Sequence, residues 1–174
     1  QALAADQALA AGQALAADRT PEEIPYEDTF QFRFWQERTQ GFTERMRELG
    51  LEPAGFFQGN GRFDFMSRQA DAVVDAVLRT QDRPTALYCE NDMIAIAMLN
   101  ALRRRGIRVP EDMALIGHDG LDLCGMVLPN LTTIAQPRYE MGCEAAKLLI
   151  DQIERDSAPR TVLLKPALRA GETA

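Results

Sequence analysis

The chain has 174 residues, is 46% hydrophobic and 26% charged, and carries a formal net charge of −7. That length gives one domain a real core but is short for two complete ones, and no stretch approaches the ~20 uninterrupted apolar residues of a membrane span. A free-standing DNA binder needs a basic face to displace counterions from phosphates, so this acidic chain is not expected to bind DNA by itself. The three cysteines, Cys89, Cys124 and Cys143, lack tight spacing, which argues against a disulfide framework and fits a reducing cytoplasm. With one histidine, His118, and no CxxC, neither a zinc site nor any other cofactor is expected. The chain opens without methionine or a signal-peptide pattern and reads as a piece of a longer gene product.

Residues 1–18 repeat a six-residue unit, QALAADQALAAGQALAAD. Alanine favours helix, but leucines six apart advance ~240° around the axis, so Leu3, Leu9 and Leu15 form no docking stripe. Residues 1–30 are therefore read as an alanine-rich lead-in and linker.

From residue 31 the pattern becomes orderly. Trp35, Phe42, Met46 and Leu49 share one helical face, stopped by Gly50 and Pro53. AGFFQ (54–58) is a short strand candidate. Ala70, Val73, Val74, Val77 and Leu78 then follow a helical spacing behind a cap at Ser67. TALYC (85–89) predicts a buried strand. Ile94, Ala97, Met98, Ala101 and Leu102 predict the next helix, ended by Gly106 and Pro110. MALIG (113–117) predicts a third strand. The basic run Arg103-Arg104-Arg105 suits the end of that helix, where cations complement the dipole, better than a nucleic-acid contact. Beyond residue 120, LTTIAQ (131–136) is an extended segment. A last helix has Met141, Ala145, Leu148, Leu149 and Ile153 as its inner face, and TVLLKPAL (161–168) is an edge strand because of Pro166.

Short apolar strands alternating with amphipathic helices predict right-handed crossovers and an α/β, doubly wound parallel sheet. In such a sheet, whatever follows each strand gathers along one rim, where ligands bind. GNGRFDF (59–65), ENDM (90–93) and HDGL (118–121) would bring Phe63, Asn91, Asp92, His118 and Asp119 there. A ring, a carboxamide and a carboxylate suit a neutral polyol: the ring stacks on a CH face while the polar groups hydrogen-bond adjacent hydroxyls. Plainer readings stand beside these. Asn91 or Asp92 also suits a helix cap, Asp119-Gly120 a turn, and Phe63 a packed loop position.

The run ENDMIAIAMLNALRRRGIRVPEDMALIGHDGLDLCGMVLPNLTTIAQPRYEMGCEAAKLLIDQI resembles the C-terminal half of effector domains in the LacI/GalR family of bacterial transcription regulators. The matching elements are Asn91-Asp92, the run from Gly106 to Asp112, Gly117-His118-Asp119, Leu131-Thr132-Thr133 and Gln136-Pro137; the resemblance extends back through Arg38-Thr39-Gln40-Gly41-Phe42 and covers about residues 33–170. It implies a two-lobed, periplasmic-binding-protein-like architecture, represented here mainly by the second lobe. Residues 31–136 would form that effector-binding lobe. Residues 137–174 would supply a crossover helix and strand to the first lobe. The resemblance also implies that Arg38, Phe63, Asn91 and Asp119 reach the effector and that Gln136 lies where the chain crosses between lobes. The family usually has an aromatic where His118 stands, so that ring is either packed or an added polar contact.

These readings lead to the effector-sensing region of a cytoplasmic, homodimeric regulator whose ligand is a small carbohydrate or related metabolite. DNA would be reached only through a helix-turn-helix that this chain lacks. The alternative is a sugar-binding component of a transporter. Catalysis is not expected: Cys89 and His118 end neighbouring strands, but no orienting acid or oxyanion hole accompanies them. The helix 92–105 and the segment Leu121–Leu128 are candidates for a dimer face, with packing inside the domain as the alternative.

Overall fold

The computed structural model describes residues 33–57, 66–155 and 157–174. In chain order the elements are α1 (Arg33–Glu48), α2 (Met66–Arg79), β1 (Ala86–Tyr88), α3 (Asp92–Arg104), β2 (Ala114–Asp119), a 3-10 turn (Asp122–Gly125), β3 (Thr132–Ala135), α4 (Arg138–Arg155) and β4 (Ala167–Arg169). The strands form one sheet in the order β1-β2-β3-β4. The first three are parallel, and β4 joins β3 antiparallel, Ile134 lying opposite Leu168.

Helices cover both faces of this sheet. On one face α3 buries Ala95, Met98, Leu99 and Leu102, the i, i+3, i+4, i+7 positions of a helical stripe. They pack with Val74 and Val77 of α2 and with Met113, Leu115 and Leu131 from the sheet. Alternation along β2 sends Leu115 and Gly117 to this side and leaves Ile116 and His118 half-buried on the other. There α1 lies against the sheet, with Phe42 stacked on Tyr88 at a centroid distance of 5.2 Å.

The helix stops carry out what their glycines announce. Gly50 and Gly106 both adopt φ of +71°, the left-handed conformation that glycine takes without a side-chain clash. After α3, Ile107 N–H reaches Leu102 O and Gly106 N–H reaches Arg103 O; after α1, Leu51 and Gly50 repeat the pair on Met46 and Arg47. This is the Schellman closure, which satisfies carbonyls left open at a helix end. The basic run behaves as a helix end too: Arg104 and Arg105 pair with Asp71 and Asp75 of α2, and Arg103 donates to Leu128 O.

Asp92 fastens the layers together. It is fully buried at the first turn of α3, where the helix dipole favours a carboxylate. Its oxygens accept from Thr133 Oγ1 at 2.5 Å and from Leu121 N–H at 2.7 Å. A side chain at Gly117 would collide with that carboxylate. The C-terminal tail adds a second stitch, as Thr173 donates to Leu115 O at 2.7 Å and accepts from Thr132 N–H at 2.9 Å.

Five expectations change. The sheet is mixed, its fourth strand being antiparallel. AGFFQ shrinks to a single bridging residue at Phe57, with residues 58–65 outside the description. The terminal strand starts only after Pro166, which offers no N–H to a ladder, and forms an edge of this same sheet instead of leaving for another lobe. The apolar face of α4 has no partner among the described residues: none of its residues is buried, and Leu149 and Ile153 are 57% and 73% exposed. Leu49, expected on the inner face of α1, is exposed as well.

Candidate functional site

Because β1 and β2 run parallel with Tyr88 opposite Ile116, the segments that follow them leave the sheet on one side. Asp119 ends β2 with φ of +108°, a conformation rarely adopted by residues other than glycine. Such a backbone costs on the order of 1–3 kcal/mol and persists where surroundings hold it. Here they do. Gln136 N–H donates to Asp119 O at 3.3 Å, and Gln136 Nε2 donates to Asp119 Oδ1 at 2.6 Å.

The same oxygen receives Arg38. From α1, Arg38 Nη2 lies 3.1 Å from Asp119 Oδ1 while Nη1 donates to Glu90 O at 2.6 Å. The side chains of this ion pair are only 19% and 28% exposed, so water screens it less than a surface pair. Thr39 Oγ1 donates to Glu90 Oε1 at 3.2 Å. Burial is the main cause raising the Glu90 carboxyl above its ordinary range, partly opposed by Thr39 and Arg38. Helix α1, through Arg38, and the crossover at Gln136 therefore converge on the carboxylate that ends β2, and the same arginine ties in Glu90 after β1.

Beside it lies an aromatic layer. Tyr88 Oη and His118 Nδ1 are 2.9 Å apart, and Tyr88 is sandwiched toward Phe42. Burial, followed by the positive charge of Arg38, pulls the His118 ring below its usual value and favours the neutral form. Burial pushes the Tyr88 hydroxyl up to about 12. The turn after Asp119 is held from behind: Arg138 and Arg169 both donate to Gly120 O, and Arg169 also donates to Leu121 O.

Of the five residues expected at the site, Arg38, Asp119 and Gln136 come together in direct contact. Asn91 follows β1 at the same end, and its Oδ1 accepts from Ile94 N–H at 2.8 Å, so it caps α3. Phe63 lies outside the described residues. The sequence reading missed Glu90, Tyr88, Thr39 and Arg169. Two signals were available: a charged residue directly after an apolar strand needs a partner, and a tyrosine inside a buried strand needs one for its hydroxyl.

The chemistry available is hydrogen bonding and stacking. Cys89 is buried, which pushes its thiol up to about 12, and His118 Nδ1 is engaged by Tyr88, so these two do not form an activated pair. Among the described residues no three His, Cys, Asp or Glu side chains gather as metal ligands, and no helix is long and apolar enough to cross a membrane. A separate groove of about 500 Å³ lies at the opposite end of the sheet, lined by Arg103, Ile107, Val109, Leu128 and neighbours.

Residues 28–174 match the family described as periplasmic binding protein-like domain. The HTH-type transcriptional repressor CytR of Escherichia coli (strain K12) is 37% identical over 136 residues, 77% of this chain and 36% of that protein. The HTH-type transcriptional repressor PurR of Aliivibrio salmonicida (strain LFI1238) is 37% identical over 121 residues, 68% of this chain and 35% of that protein. The chain thus spans little more than a third of the length of these repressors. Among solved structures, a transcriptional regulator CelR–cellobiose complex superposes with a TM-score of 0.70 at 29% identity, over 79% of this chain and 42% of that one. A LacI family regulator from Arthrobacter sp. FB24 in complex with lactose does so with a TM-score of 0.62 at 28% identity, over 78% and 50%.

Proposed function

Since the chain belongs to the periplasmic binding protein-like domain family, with LacI-family repressors among its relatives, we propose that it senses a small effector within a LacI/GalR-type regulator. Its ligand is a carbohydrate or related metabolite. The observation that carries this reading is the convergence of Arg38 and Gln136 on the Asp119 carboxylate at the carboxyl end of β2. That crevice is where open α/β sheets bind ligands. Asn91 serves as the cap while its amide nitrogen remains at the same rim, and Phe63 supplies the stacking ring.

In this reading residues 31–136 are the effector lobe and α4 is the crossover that packs on a first lobe. Gln136 lies at the hinge, while β4 stays with the second lobe. Closing two lobes around the effector changes the placement of DNA-binding heads. An effector shifts that equilibrium only through a difference in affinity for the two arrangements. The regulator works in the cytoplasm and is not an enzyme. The named repressor relatives favour it over a solute-binding component of a transporter. A second copy covers the segment around Leu123, Met126 and Leu128, which are 42%, 74% and 71% exposed; α3, whose apolar residues pack within the domain, adds no apolar face there.

The test is a thermal-shift screen of sugars and related metabolites against the gene product that contains this chain. A hit is expected whose stabilisation shrinks in both Arg38→Ala and Asp119→Ala. A hit unaffected by either substitution places the pocket elsewhere and overturns the proposal.

A further inference from the structure

Asp119 reaches Arg38 and Gln136 from a backbone held at φ of +108°. Relaxing that angle toward the common regions would turn the Cα–Cβ bond and carry the carboxylate away from both partners. The turn that prevents this is tied at every point. From Asp119 O to Leu121 O, each backbone donor and acceptor has a partner. Gln136 N–H donates to Asp119 O, Gly120 N–H donates to Thr133 Oγ1 at 3.3 Å, and Leu121 N–H donates to the Asp92 carboxylate at 2.7 Å. The carbonyls of Gly120 and Leu121 remain, and both accept from Arg169. Arg138, an exposed side chain, reaches Gly120 O alone of the two, at 3.1 Å.

Arg169 comes to this turn from some way off. It lies on β4, across β3 from β2, with its Cα opposite Thr133. Two strand spacings of ~4.8 Å separate β4 from β2, a span that only a long side chain covers. A guanidinium fork also presents two donors to neighbouring carbonyls at once. The β3–β4 ladder is made by backbone groups and asks nothing of this side chain. The strand that carries it is pinned in turn: Gly171 N–H donates to Thr132 Oγ1 at 3.0 Å, and Glu172 N–H donates to Asn130 O at 2.7 Å. A side chain at Gly171 would run into the backbone of residues 130–132, so β4 ends in close contact with the segment that leads into β3.

We propose that Arg169 is a positioning residue for the effector site: from the C-terminal strand it holds the Gly120 and Leu121 carbonyls and so fixes the direction in which Asp119 presents its carboxylate. The use made of that carboxylate rests on the sensing role argued above; the geometry does not. Without Arg169 two carbonyls lose a charged donor and the strained backbone at Asp119 relaxes. The contacts with Arg38 and Gln136 then loosen while the sheet stays formed.

Hydrogen exchange resolved to single amides, with NMR of the Gln136 side-chain amide, tests this in the absence of any ligand. The proteins compared are wild type, Arg169→Gln, Arg169→Lys and Arg103→Gln. Arg103 donates to Leu128 O at 2.9 Å at the other end of the sheet, so its variant controls for the loss of an arginine–carbonyl bond as such. In Arg169→Gln the amides of Gly120, Leu121 and Gln136 should exchange at least about tenfold faster, while Leu99 and Leu102 in the core of α3 change by less than about threefold. The Gln136 Nε2 resonance should shift with them as its bond to Asp119 Oδ1 weakens. Arg169→Lys should recover part of both effects, and Arg103→Gln should produce neither. Should Arg169→Gln fail to fold, the same rim-confined acceleration, smaller in size, is expected in Arg169→Lys. Faster exchange at rim and core alike, faster exchange confined to Ile134 and Leu168 of the β3–β4 ladder, or an unmoved Gln136 resonance would each overturn the inference and leave the sensing role intact. A failed effector screen removes the sensing role by a separate measurement, so the two failures are distinguishable.

Discussion

Helices α3 and α4 carry comparable apolar spacings, and the fold treats them differently. In α3 the stripe of Ala95, Met98, Leu99 and Leu102 vanishes beneath α2 and the sheet. In α4 the stripe of Met141, Ala145, Leu148, Leu149 and Ile153 has no cover among the described residues: Met141 is 45% exposed, and no residue of the helix is buried. Periodicity identifies a face that must be covered; it does not say by what. For α3 the partner lies within the same βαβ run, at short sequence distance. For α4 the chain has passed Gln136, and no later described segment folds back to meet it. Residues 66–135, with α1 on one face and β4 and the C-terminal tail along the edge, therefore form the packed unit, while α4 extends from it.

The contrast is easiest to break at the packed end. Leu102 is fully buried, so Leu102→Ala removes its transfer energy and leaves a cavity, lowering unfolding free energy by about 4 kcal/mol. Asp92→Ala comes next at about 3 kcal/mol, because Thr133 and Leu121 would lose a buried charged acceptor. Urea midpoints with unchanged slopes would measure both. A loss below about 1 kcal/mol at Leu102 would mean that α3 is not the core helix.

How much of this could be read from the sequence follows from how local each determinant is. The strands β1 and β2, helices α2 and α3 and the glycine stops were legible because each is set by residues within one turn or one strand. Asp119 and Asn91 were legible as rim residues because parallel strands dictate one exit side. The Arg38–Asp119 pair spans 81 positions in sequence, and only the family resemblance suggested Arg38. The placement of β4 was missed because nothing within TVLLKPAL specifies which sheet it joins; Arg169, reaching Gly120 O and Leu121 O, shows where it belongs. Of the two roles weighed for Asn91, the capping one is visible in the bond to Ile94.

A smaller effect should come from the aromatic layer that adjoins the packed unit at the rim. His118 has its proton affinity lowered chiefly by burial and then by Arg38, with Asp119 and Asp92 opposing. As pH falls below ~6.5, the ordinary histidine value, the unfolded chain binds the proton before the folded one does, so stability declines. The decline attributable to this ring ends once the folded ring is also protonated. Glu90, whose affinity is raised, works in the opposite sense at lower pH, gaining stability as it protonates in the folded state. Comparing wild type with His118→Asn isolates the histidine: between pH 7.5 and 5.5 (about one unit either side of that ordinary value) the variant should lose less stability. Equal losses in both proteins would mean that Tyr88 accommodates a protonated ring.

The smallest change is expected where packing is absent. Leu149→Ser and Ile153→Ser remove apolar atoms that already face solvent, so each should move the stability of this chain by less than about 0.5 kcal/mol. The same substitutions become informative in any longer protein that contains this chain. If a first lobe covers α4 there, each large side chain gains roughly 1.5–3 kcal/mol from leaving water, and Ile153→Ser should then cost a measurable part of it. A pair of urea titrations, one on each length of protein, compares the two values. A large loss already in the short chain would mean that α4 folds back onto the sheet, whereas no loss in either would leave its apolar stripe without a structural role and remove the reason to treat it as a crossover between lobes.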